Sequence, residues 1–214
     1  MKICGGDTEA GIVVGNAYDK YGSRNPVVRR IMRGYEQALC ELIRRANPHS
    51  IHDVGCGEGY WVWRWTEQGI AVRGTDFSLK AIKLAQENAV EWNLPEDLFN
   101  VRNVYDLHPD QDGADLVACC EVLEHLERPE EALRALRSVA RPFLLLSVPR
   151  EPLWSLMNIA RGKYLSEFGN SPGHVHRWSR KAFIRLVSGY FDVVEVRFPI
   201  PFTIVLCSMP GPKT

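Results

Sequence analysis

The sequence predicts an α/β architecture, a mostly parallel β-sheet covered by helices on both faces. Three observations carry that expectation. From Ser50 onward β-rich runs alternate with helical stretches, a glycine-dense turn follows the first run, and a carboxylate closes the second. The 214 residues, 45% hydrophobic, suffice to bury a sizeable core.

The elements read off in order. Residues Pro26 to Ala46 predict a lid or outer helix whose apolar stripe is Val27, Ile31, Leu39, Leu42 and Ile43. The runs IHDVG, YWVWRWTEQ, IAVRGTD, SLKAIKLAQENAVEW, FNVRNV and ADLVACC then alternate strand and helix. Ser78 is an N-cap signal. Pro129, followed by Glu130 and Glu131, opens a helix that runs to about Val139, since acids suit the positive end of the helix dipole. A strand around Phe143 to Val148 follows, then an irregular stretch from Pro149 to Trp178. Ser179 caps a helix through Val187, and the runs YFDVVEVRF and FTIVLCS close the chain as strands.

Twenty-six basic residues balance twenty-six acidic ones, which argues against a uniformly basic nucleic-acid binder or a polybasic membrane anchor. Apolar runs such as Phe143 to Leu146 are far too short to span a bilayer. Six scattered cysteines (Cys4, Cys40, Cys56, Cys119, Cys120, Cys207) lack the C-x-x-C spacing of a zinc site and fit reduced thiols in a cytosol. The expectation is a cytoplasmic protein without membrane insertion, monomeric or homodimeric.

Asp53-Val54-Gly55-Cys56-Gly57-Glu58-Gly59 joins a strand to a helix. Glycines belong in such a turn because side chains block both the turn and the approach of a ligand to the backbone. The spacing G-x-G-x-G departs from the G-x-G-x-x-G of dinucleotide binders. Asp76, about twenty residues on, ends the second strand, where a carboxylate can accept hydrogen bonds from two ribose hydroxyls. Asn103-Val104-Tyr105-Asp106-Leu107 follows the third, so three loops converge on one crevice.

This D-x-G-x-G-x-G loop with an acid ending strand two resembles the class I S-adenosylmethionine-dependent methyltransferases, over most of the chain. The resemblance implies a three-layer Rossmann-like fold whose seven-stranded sheet is mostly parallel with an antiparallel last strand. It also implies S-adenosylmethionine as cofactor and S-adenosylhomocysteine as product. Asp53, Gly55, Cys56, Gly57 and Gly59 would cradle the methionine moiety, Asp76 the ribose, and Phe77 the adenine. Asn103 and Val104 stand where the family usually has an acid near the adenine amino group. Cys120 and Glu121, at the end of the fourth strand, complete the expected cofactor set. The chain would divide as 1–48 N-terminal lid and helix, 49–148 cofactor-binding core, 149–180 acceptor-binding cap and 181–214 closing helix and strands.

Glu121-Val122-Leu123-Glu124-His125-Leu126 resembles a segment common in small-molecule methyltransferases of this fold. Two carboxylates and an imidazole within five residues suit Mg²⁺ or a similar divalent ion if another ligand approaches. The same combination, followed by histidines, is similar to ubiquinone-pathway O-methyltransferases and small-RNA 2′-O-methyltransferases. It implies a site of Glu121, Glu124, His125 and His176, with His174 as the alternative to His176. The competing expectation is that Glu124 and Glu127 are solvated, His125 hydrogen-bonds the strand-four loop, and His174 or His176 contacts substrate alone. A phenol of ordinary pKa about 10 is mostly protonated at neutral pH, so an O-methyltransferase benefits from a base, and His125, His174 and His176 are the candidates.

Between Arg150 and Arg185 stand seven Lys or Arg and two acids, a cap that suits an anionic acceptor or forms ordinary solvated helix faces. Trp61 and Trp65, four apart in Tyr60-Trp61-Val62-Trp63-Arg64-Trp65, read as core. Trp154, Met157, Tyr164, Phe168 and Trp178 either wall an acceptor pocket or pack under a long loop. Tyr18 and Tyr21 are lid residues or a surface turn. The expected activity is methyl transfer to an oxygen, alternatively a nitrogen or carbon, of a small aromatic or anionic acceptor. A Mg²⁺-dependent RNA 2′-O-methyltransferase, disfavoured by the neutral charge, and a non-catalytic S-adenosylmethionine sensor or partner subunit are the rivals.

Overall fold

A computed structural model describes residues 1–9 and 11–210. Its central sheet has seven strands, β1 (Ser50–Val54), β2 (Ala71–Asp76), β3 (Phe99–Val101), β4 (Ala114–Cys120), β5 (Ala140–Pro149), β6 (Asp192–Arg197) and β7 (Phe202–Ser208). They lie in the order β3-β2-β1-β4-β5-β7-β6. The pairs from β3 through β5 are parallel, and β7 runs antiparallel to both β5 and β6. The helices are α1 (Pro26–Ala46), α2 (Tyr60–Thr66), α3 (Leu79–Glu91), α4 (Pro129–Val139), α5 (Leu153–Ala160) and α6 (Arg180–Ser188), besides a four-residue turn at Pro109–Asp112. This is the expected Rossmann-like arrangement.

Side-chain alternation builds the three layers. Leu116 and Ala118 of β4, Leu145 of β5 and Ile204 and Leu206 of β7 face one core, which α1, α2 and α3 cover. Their neighbours Val117, Cys119, Leu144, Leu146, Val205 and Cys207 face the other, covered by α4 and α6. Both faces are buried, so these strands read as continuous apolar runs.

The helix boundaries follow their caps. Asn25 accepts from Val27 N and Val28 N ahead of Pro26, Ser78 accepts from Ala81 N, Ser179 accepts from Ala182 N, and Pro129 opens α4. One face was misjudged: Val27 is 62% exposed, while Met32, Tyr35 and Ala38 join Leu39, Leu42 and Ile43 in the core. The seam descends through Val28, Ile31 and Met32 at helical spacing, and Val27 lies one residue, or about 100°, off it. α5 and a two-stranded ribbon pairing Thr8–Glu9 with Ile12–Val13 were not foreseen. Among the described residues no helix is long and apolar enough to cross a membrane.

The chain runs outward from β1 to β2 and β3 on one side and from β4 to β5 on the other. A cleft therefore opens at the carboxyl ends of β1 and β4, where the strand order reverses. Trp65 anchors α2 beneath it, fully buried and stacked on Trp61 at 5.6 Å. Its indole nitrogen has no hydrogen-bond partner. Trp65→Ala is expected to lower stability by about 3–5 kcal/mol in urea unfolding. Trp65→Phe, which forfeits no hydrogen bond, should cost less than half of that; equal losses would show that the indole nitrogen is partnered.

Candidate functional site

The first loop of the cleft depends on glycine. Gly55 and Gly59 adopt φ of +81° and +87°, and a Cβ would meet Val122 at Gly55 and the Phe99 ring at Gly59. Gly55 N and Cys56 N both donate to Thr75 O, at 2.7 and 3.0 Å, which fixes the loop against the end of β2. Cys56 packs beneath that strand, where a side chain at Gly74 would strike its Sγ, and burial pushes its thiol well up.

Asp76 joins two loops. Its Oδ2 accepts from Gly57 N at 3.0 Å and its Oδ1 from Ser78 N at 2.9 Å. Each carboxylate oxygen keeps a second lone pair for a ligand hydroxyl. Burial raises its pKa, while the two backbone donors oppose that shift. Asp53, at the end of β1, is pushed up to about 8 by burial and by the charge of Asp76.

The expected third loop behaves differently. Asn103 accepts from Tyr105 N at 3.1 Å and caps a short turn, and the Val104 side chain is buried in the core beneath α4. Phe77 packs against Cys4, Val14 and Ala81. The Cys120 thiol, pushed up by burial, packs against the core on the α1 side.

Beyond β4 the chain turns at Glu121, a non-glycine residue with φ +60°. Its Oε1 accepts from Ser147 Oγ at 2.8 Å, and Ser147 Oγ pairs with the Tyr35 hydroxyl at 2.6 Å. Burial lifts the Glu121 carboxyl to about 7, with the Lys20 ammonium pulling the other way. Glu124 is only 2% exposed, which overturns its expected solvation; burial first and Glu121 second raise its pKa. Its Oε2 has no hydrogen-bond partner.

Glu124, His125 and His174 bring one donor atom each within 4.8 Å of one another. His125 Nδ1 lies 2.9 Å from Gly173 O and so donates to it, leaving Nε2 with its lone pair. Burial lowers both imidazoles, His174 to about 3, so both are neutral at pH 7. His176 does not join this group, and His174 takes the place expected of it. The His176 ring stacks on Trp178 at 4.9 Å and 8°, and its backbone N–H, with that of Val175, donates to Glu124 O.

The aromatic candidates separate in the same way. Trp154 lies 6.2 Å from the His174 ring and 5.7 Å from Phe202, on the cleft side. Trp178 packs on Phe183 in the opposite core, away from Trp154. Tyr21 stacks on Tyr60 at 3.6 Å and turns its edge to Trp61. Tyr18 is 45% exposed beneath the Lys163 ammonium, and Tyr164 takes a left-handed turn before an exposed Leu165. Phe168 is 79% exposed. Sequence reasoning missed Glu58, Tyr35, Ser147 and Lys20, whose partners lie on remote segments.

These features align with known proteins. A family profile described as "Methyltransferase domain" matches residues 52–142. The chain is 35% identical over 150 residues to the ubiquinone biosynthesis O-methyltransferase of Albidiferax ferrireducens, covering 68% of this chain and 59% of that protein. It is 37% identical over 93 residues to the protein of that name from Chromobacterium violaceum, covering 43% of this chain and 40% of the other. The chain thus spans less than two thirds of these relatives' length. In fold it is similar to the magnesium protoporphyrin IX methyltransferase of Synechocystis PCC 6803 with bound S-adenosylhomocysteine, at TM-score 0.65 and 21% identity, covering 88% and 90% of the two chains. The methyltransferase domain of bacterial CtHen1 gives TM-score 0.63 at 19% identity, covering 84% of this chain and all of that one.

The fold is the Rossmann-like one of these methyltransferases. Over residues 52–142 and in its fold the chain is similar to the class I S-adenosylmethionine-dependent methyltransferases.

The acid pair sets a pH dependence. Folding raises the Asp53 pKa from its ordinary 3.8 to about 8, so the folded chain holds a proton that the unfolded chain releases. Its contribution to stability therefore falls as pH rises from about 4 to 8. Asp53→Asn is expected to gain on the natural protein across that window, by about 1–3 kcal/mol at the upper end, in ligand-free unfolding curves. A difference constant from pH 4 to pH 8 would remove Asp53 as a buried, protonated acid.

Proposed function

We propose that this chain transfers the methyl group of S-adenosylmethionine to a hydroxyl oxygen of a small aromatic acceptor and releases S-adenosylhomocysteine. The carrying observation is the acidic cleft, where Asp53 and Asp76 share a glycine-floored crevice with a neutral histidine pair beyond them. A ligand with an ammonium, a sulfonium and two ribose hydroxyls matches these groups in charge and hydrogen bonding. The names of the curated relatives support oxygen as the methyl acceptor.

A sulfonium is already a good leaving group, so the protein's task is to align the acceptor oxygen with the S–CH₃ bond in a dry recess. His125 is the proposed base, since Nε2 is free while Gly173 O fixes the ring and its tautomer. His174, more strongly depressed, is the weaker base and serves to hold the acceptor beside Trp154. Tyr21 and Trp154 supply apolar walls. A cytoplasmic setting fits the six free cysteines.

Asp76→Ala is expected to weaken cofactor binding by about 1.5–3 kcal/mol in calorimetry. Binding to the natural protein at pH 7 should release a proton as Asp53 ionises beside the ligand's positive charge, read from buffers of different ionisation heat. His125→Ala should bind cofactor normally yet lose about 10²–10⁴ in turnover. Binding without turnover on any phenolic or catecholic acceptor would favour a sensor instead.

A metal-assisted variant of this reading rests on Glu124, whose buried Oε2 lacks a partner beside two imidazoles. One carboxylate oxygen and two imidazole nitrogens suit Mn²⁺, Fe²⁺ or Zn²⁺ better than Mg²⁺, which prefers oxygen ligands. Glu124, His125 and His174 would hold the ion, which would lower the acceptor hydroxyl's pKa when bound. EDTA should then abolish turnover and Mn²⁺ restore it, whereas turnover indifferent to both leaves His125 acting as a base alone.

A further inference from the structure

Glu58 occupies a variable position of the glycine loop, yet its carboxylate is turned away from the cleft floor and is only 1% exposed. No cation pairs with it among the described ion pairs. Its oxygens instead accept from three N–H groups of the N-terminal segment: Cys4 N at 2.8 Å, Asn16 N at 2.7 Å and Asn16 Nδ2 at 2.6 Å. Gly15, between these contacts, has φ +56°, and a Cβ there would collide with the Glu58 carboxylate and the Cys4 sulfur.

The segment so held reaches all three parts of the cleft. Gly15 Cα lies 3.7 Å from where a Cβ would stand on Gly57. Glu9 Oε2 accepts from Ser78 Oγ at 2.5 Å, and Asp7 pairs with Lys80, both just beyond Asp76. At the far end Val13 lies 3.4 Å from a Cβ placed on Gly173, the residue whose carbonyl holds His125. A single strap thus touches the ribose-side turn, the glycine loop and the histidine loop.

We propose that Glu58 is a positioning residue that clamps this N-terminal strap over the cleft, making the strap a wall of the cofactor site that lifts for exchange. The proposal rests on the S-adenosylmethionine reading above. Glu58 acts through Cys4 and Asn16 and touches no reacting atom. Its two carboxylate oxygens supply what donors on a short strap need, an acceptor able to take several N–H bonds at once.

Cys4 reports on the strap because it lies within it and is only 4% exposed. Iodoacetamide labelling, mapped to the Cys4 peptide by mass spectrometry, reads strap opening, and stopped-flow displacement reads the release of S-adenosylhomocysteine. In the natural protein S-adenosylhomocysteine should slow Cys4 labelling at least about tenfold. Glu58→Gln and Asn16→Ala should each raise both the labelling rate and the release rate about tenfold, with KM for the acceptor unchanged. The double variant should do no more than the larger single effect, since both substitutions cut the same clamp. Asn16→Ala lies on the strap and leaves the glycine loop intact, so it carries the test if Glu58→Gln fails to fold by circular dichroism. Ligand that binds without protecting Cys4, or single effects that add, would overturn the clamp. Failure of S-adenosylhomocysteine to bind by calorimetry would instead overturn the cofactor reading, and Cys4 labelling in the two variants would still judge the hydrogen bonds.

Discussion

The cleft depends on one carboxylate. By accepting from Gly57 N and Ser78 N, Asp76 ties the turn after β1 to the turn after β2, and the two loops become one surface. Bonds between backbone donors and a carboxylate are stronger than neutral ones, and here they form within a low-dielectric rim that magnifies them. The geometry of both loops follows from that pairing. The glycines permit the path; Asp76 selects it.

The fold was legible because both cues on which it rests are local. Alternation of apolar residues marks each strand, and Ser78, Pro129 and Ser179 mark helix starts at single residues. The glycine loop and the acid after β2 were legible for the same reason, as one continuous stretch encodes their shape. Glu58 was hidden because its partners lie 42 and 54 residues away, and nothing within D-x-G-x-G-x-G distinguishes a clamping glutamate from a solvated one. Tyr35 was hidden likewise: 112 residues separate it from Ser147. Of two nearby histidines, the one drawn toward Glu124 is decided by how a loop folds back, and the stacking of His176 on Trp178 has no counterpart in spacing.

The electrostatics of the cleft are lopsided. Acids end three neighbouring strands or the turns just beyond them, while the imidazoles opposite are held neutral by burial. On the proposed reading, a cationic ligand bound there ionises Asp53 and is neutralised by it. The proton on Asp53 serves as a stand-in for that ligand.

Glu121 lies in a backbone region where glycine would be at ease and a branched residue is strained. Holding it there costs the fold on the order of 1 kcal/mol or more. In a library selected for thermal endurance alone, glycine at this position would be enriched. Its carriers would be sturdier, but they would lack the carboxylate that Ser147 keeps aimed. Backbone ease and the Ser147–Glu121 hydrogen bond are opposed at a single peptide unit, so toughening the chain there would trade one for the other.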